Sequence, residues 1–158
     1  MLRQVSLWFA LVSALVLSAG CGGSEASKED FGQSVIAARN DADAGLAQIV
    51  QATSFGDLVA RMKIAAVEVR AASGDVRKAE APGELEDERD QLAERLIALS
   101  DEIISTVETF EAIPDQAQAT KALNFEQWNT VQASLASLRR EGIDVPALER
   151  HAPEPQRQ

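Results

Sequence analysis

Apolar residues that recur by fours and threes commit a chain to helices whose greasy stripes must find one another. Here the pattern runs through Phe31, Val35, Ala38, Ala42, Gly45 and Ile49, and again through Leu58, Met62, Ala65, Val69, Ala72 and Val76. Ser27 with Asp30, and Ser54 with Asp57, stand at the spacing of a capping box, in which a hydroxyl and a carboxylate satisfy amide groups at a helix start. The spacing therefore predicts one helix from Ser27 to about Ala52 and a second from Ser54 to about Ala79. A single continuous helix would carry the first seam to positions 52, 56, 59 and 63, where Gly56 and Lys63 stand. The register breaks within Thr53, Ser54 and Gly56, and a tight turn is expected there.

Pro82-Gly83 ends the second segment, and the acidic run Glu84, Glu86, Asp87, Glu88 and Asp90 suits the positive end of a helix dipole. The third helix carries Leu85, Leu92, Leu96, Leu99, Ile103, Phe110 and Ile113, widened by Ile97, Ile104 and Val107, and stops at Pro114. A fourth starts between Asp115 and Asn124, with Asn124 and Gln127 as a possible cap, and continues through Trp128, Val131, Leu135 and Leu138. Arg139 and Arg140 complement its C-terminal dipole, and Gly142 suits the left-handed residue that ends helices. Ile143, Val145 and Leu148 around Pro146 predict an apolar strap, a helical turn at most, closing the end of the bundle. Four such helices joined by short turns imply an all-α, antiparallel up-and-down four-helix bundle. Alternating directions place Phe55, Phe110, Phe125 and Trp128 toward one pole, and Phe31, Val76, Leu85 and Leu138 toward the other.

The start of the chain has a different character. Met1-Leu2-Arg3-Gln4 is short and positive, Val5 to Leu17 is apolar apart from serines, and Ser18-Ala19-Gly20 are small residues before Cys21. These are the parts of an export signal in order. The apolar run is shorter than the roughly 20 residues needed to cross a bilayer. Leu17-Ser18-Ala19-Gly20-Cys21 resembles the bacterial lipobox, although the aliphatic residue lies one position further from the cysteine than is usual. The resemblance implies cleavage before Cys21 and acylation of that residue by two chains or more, enough for stable anchoring. Gly22 and Gly23 beside it favour a flexible tether over a buried thiol.

The expected organisation is thus a signal peptide at 1–20, a lipidated cysteine and tether at 21–27, the bundle and strap at 28–151, and a disordered tail at 152–158. Ala81-Pro82-Gly83-Glu84-Leu85, leading into Arg89, Leu92, Leu96 and Leu99, is similar to a turn-and-helix pattern of small helical envelope lipoproteins of high-GC bacteria. That resemblance covers about residues 70 to 115 and implies a location and a fold, not an activity.

Chemistry is sparse. The 158 residues hold one cysteine and one histidine, His151, so disulfides, Glu-x-x-His di-iron sites and covalent haem attachment are excluded. A net charge of −10, from 15 basic and 25 acidic residues, disfavours nucleic acid as a partner. Met62 sits on an apolar seam and reads as core; the acidic run lacks the spacing of a calcium loop and reads as a solvated helix start. No phosphate loop or nucleophile elbow occurs. The expectation is a non-enzymatic, monomeric module without catalytic residues, cofactor or metal site, facing the extracytoplasmic side of the membrane, held to lipid through Cys21 and free to meet an envelope protein. Two alternatives are a small-molecule or lipid site among helices lined by Ala42, Ala65, Leu96 and Val131, and a carboxylate metal site in the bundle.

Overall fold

The computed structural model describes residues 26–112 and 125–149. Among them are α1 (Lys28–Ile49), α2 (Phe55–Lys78), a 3-10 turn (Gly83–Leu85), α3 (Glu86–Ala112) and α4 (Glu126–Arg140). The helices pack against one another as an all-helical bundle, with α2 lying between α1 and α3 and α4 leaning on α3. Cys21, the residues before it, the 113–124 connection and His151 lie outside the described residues.

Both expected serine N-caps form, although in neither does the carboxylate take the serine's own amide as a full capping box would. The amide of Asp30 donates to Ser27 Oγ (3.0 Å), which in turn donates to the Asp30 carboxylate (2.7 Å). At the α1–α2 turn the amide of Asp57 donates to Ser54 Oγ (3.1 Å), and Asp57 Oδ2 accepts from the amide of Thr53 (2.9 Å). Each serine satisfies an amide that a helix start would otherwise leave unpaired. At the other end of the fold, Gly142 adopts φ 90°. Its amide donates to the Arg139 carbonyl and that of Ile143 to the Leu138 carbonyl. This is a Schellman closure, with Gly142 at the left-handed position where a Cβ would be strained.

The core is one continuous cluster. Phe31, Val35, Met62, Val69, Leu85, Leu99, Ile103 and Leu138 are fully buried. Small residues on α1 and α2 bring those helices close. An added Cβ at Gly45 would lie 2.8 Å from Glu68 Cβ, whereas one at Gly74 would meet nothing within 4 Å. Gly74→Ala is therefore expected to stabilise by about 0.5–1 kcal/mol through chain entropy alone. Gly45→Ala should instead destabilise, by about 1–2 kcal/mol, because α1 and α2 must part. Paired urea titrations read the opposite signs directly. Between α2 and α3, the buried hydroxyls of Ser73 and Ser100 donate across the interface to the carbonyls of Ala93 and Ala66 (2.8 Å each), so neither is left unsatisfied.

Two expectations about the far side of the bundle change. The strap forms no helical turn and does not close an end. After Gly142 the chain reverses and runs lengthwise, antiparallel to α4 and parallel to α1, filling the gap between them. Ile143, Val145 and Leu148 are buried there. The reversal at Gly142 aims the chain back along α4, where those three side chains reach the core. The start of α4 also sits lower than its aromatic residues suggest. Phe55 and Phe110 do share the pole away from Ser27, with ring centroids 5.9 Å apart. The amides of Glu126 and Gln127, however, donate to the Glu102 carboxylate of α3 (2.7 and 2.8 Å). Glu102 precedes Phe110 by eight residues on α3, so Phe125 and Trp128 enter roughly 12 Å below the Phe55–Phe110 pair. The helix start at Phe125 has no side-chain cap of its own. Glu102 replaces it, a carboxylate at the positive end of the α4 dipole.

Candidate functional site

The most organised polar arrangement is the latch that holds the strap. Arg39 of α1 donates through Nη2 to the Ala147 carbonyl and pairs with Asp43 one turn later (3.4 Å); both side chains are about nine-tenths buried. Asp43 Oδ1 accepts from the amide of Glu149 (2.8 Å). From the other wall, Gln132 of α4 grips Leu148 twice, donating to its carbonyl (2.6 Å) and accepting from its amide (3.1 Å). Arg139 donates to the Val145 carbonyl (3.0 Å). The strap is thus held by its backbone as an extended peptide would be, while its apolar side chains enter the core.

Arg39 Nε is buried with no hydrogen-bond partner. Arg39 also lines a void of about 10 Å³ bounded by Val35, Val76, Leu92, Leu96, Val131, Leu135 and Leu148. That volume is about one water molecule, far below the several hundred Å³ of a ligand pocket. Of the residues proposed to line a ligand site, Leu96 and Val131 border this void; Ala42 and Ala65 are fully buried and do not. A shallow open cleft of about 360 Å³ lies between α1 and α2, among Ser34, Ala37, Ala38, Asp41, Asp75, Lys78 and Ala79. Its Lys78 is paired with Asp75 (3.2 Å).

The acidic start of α3 is drawn into surface ion pairs. Glu84 lies 3.7 Å from Lys28, and Arg89 donates to Asp90 (2.9 Å). That bond lowers the pKa of Asp90 and raises that of Arg89. Among the described residues no three His, Cys, Asp or Glu side chains are grouped to hold a metal ion, and no helix is long and apolar enough to cross a membrane.

Asp57 is the other shifted carboxylate. The amide of Thr53, and then Arg61, hold its pKa below the ordinary 3.8. A depressed folded pKa stabilises above the unfolded value and loses that contribution as pH falls through the folded one. The α2 start should therefore loosen only below pH 3.8. Carboxyl-detected NMR titration should place the Asp57 midpoint under that value; a midpoint at or above it would contradict the cap.

The latch was not legible as a site. Arg39 and Asp43 show an i, i+4 ion pair in the sequence, but their partners lie more than 100 residues away. A second feature was legible and passed over: Ile64 and Val67, three residues apart on α2, are 45% and 65% exposed. Comparison with family models, curated proteins and solved structures finds no match for this chain.

Proposed function

We propose that this chain is an extracytoplasmic lipoprotein, tethered to the membrane through acylated Cys21, whose helical bundle is a non-enzymatic interaction module. The carrying observation is the order of the N-terminal parts, a basic start, an apolar run, small residues and then Cys21, followed within a few residues by the capped start of α1. From Cys21 to Ser27 the chain spans at most about 20 Å, so the α1 start stays near the lipid. Lys28 meets Glu84 and the Glu141 carbonyl there, and the first turns of α1 and α3 add Glu29, Asp30, Glu86 and Asp87. These carboxylates repel anionic headgroups and favour a tethered pole held just off the lipid surface.

Crosslinking in native membranes, followed by recovery of the full chain under denaturing conditions, tests the interaction role. One dominant crosslinked envelope component is the expected result. Recovery of abundant bystanders alone, in proportion to their abundance, would overturn it.

A further inference from the structure

A helix with one side on solvent needs one apolar stripe; α2 has two. Its first, Leu58 to Val76, is in the core. Its second runs through Ala60, Ile64, Val67, Ala71 and Gly74, stepping again by four and three on the opposite side of the helix. Ala60, Ile64, Val67 and Ala71 are exposed, and Gly74 is half-buried. A heptad frame places Ile64 and Ala71 at a, and Ala60, Val67 and Gly74 at d. The flanks then separate by charge. The g positions are Lys63, Arg70 and Arg77, all basic, while the e positions after Arg61 are Glu68 and Asp75, both acidic.

We propose that this face of α2 pairs with the same face of a second copy of the chain, in parallel and in register. In a parallel pair each g residue meets the e residue five positions on in its neighbour. Lys63 then faces Glu68 of the second copy and Arg70 faces its Asp75, opposite charges at both contacts, repeated by symmetry. An antiparallel pair would set g against g, basic on basic throughout, and e against e, where Arg61 alone offers the acidic residues a partner. The charge pattern selects the parallel arrangement, which also points both α1 starts the same way. Alanine and glycine let the backbones approach, with open space at Gly74.

Within one copy Lys63 pairs with Glu111 (2.6 Å), Arg70 with Asp101, and Asp75 with Lys78 (3.2 Å). All are solvent-exposed pairs, weak enough to be shared or exchanged. The monomer expected from seams satisfied inside the bundle holds for one seam per helix and leaves this one uncovered. The inference rests on α2 and not on acylation of Cys21.

Single cysteines at the two d positions test it. Ala60→Cys and Val67→Cys, each in the full chain in bacterial membranes, should both give disulfide-linked dimers on oxidation, far above Thr109→Cys on the exposed face of α3. Lys63→Glu with Arg70→Glu should lose the Val67→Cys product, and adding Glu68→Lys and Asp75→Lys should restore it. A Val67→Cys product no greater than that of Thr109→Cys, a product at only one d position, or a yield untouched by charge reversal would overturn the proposal. Dimers of the parental chain through Cys21 would count against acylation alone, and the seam is then read in a Cys21→Ser background. Circular dichroism of each purified variant ensures that a lost product is not a lost fold.

Discussion

Ending the chain after Gly142 is expected to lower its stability by on the order of 4 kcal/mol, a large part of the 5–15 kcal/mol typical of a domain. The truncation removes Ile143, Val145 and Leu148, all buried, and burial of such side chains is worth about 1.5–3 kcal/mol each. It also uncovers Val35 and Leu135, which share a wall with Leu148. The entropy regained by the freed strap opposes this, so the net loss is smaller than the burial alone suggests. Urea unfolding read by circular dichroism should show the shift in midpoint, with new binding of an apolar dye to the opened groove. An unchanged midpoint would mean that the strap merely rests on the bundle.

The second large effect falls on the latch. Asp43→Ala should cost about 3 kcal/mol, because it leaves the Arg39 guanidinium nine-tenths buried without its carboxylate and takes the acceptor from the Glu149 amide. Replacing both partners with apolar residues, Arg39→Met with Asp43→Leu, should recover most of that loss, since a buried pair is costly chiefly when broken. A double-mutant cycle on unfolding free energies checks this, and amide exchange at Glu149 should accelerate in Asp43→Ala. Equal losses in the single and the double variant would show that Arg39 and Asp43 do not act as a pair.

Local chemistry was readable from the residues. Ser27 and Ser54 became helix caps because the amides they accept from, those of Asp30 and Asp57, lie three residues on, and Gly142 took the left-handed backbone because only its immediate neighbours decide that conformation. What depends on distant partners was not readable. No property of Glu102 marks it as the cap of a helix that starts 24 residues later. The strap was identified by its apolar residues, yet its path follows from a reversal at Gly142 and from a groove between α1 and α4 that exists only in the folded chain. The outer stripe of α2 is the instructive case, since Ala60, Ile64, Val67 and Ala71 carry the same spacing used to place the core. A first stripe that already accounted for the helix hid the second.

Tethering through Cys21 is the central claim, and metabolic labelling with an alkyne-bearing fatty acid tests it most directly. The chain, captured and coupled to a fluorescent azide, should carry label that survives neutral hydroxylamine, which would strip a thioester, and it should sediment with membranes. Cys21→Ala should lose both the label and the sedimentation. Label that persists in Cys21→Ala, or a wild-type chain that never acquires it, would contradict the account.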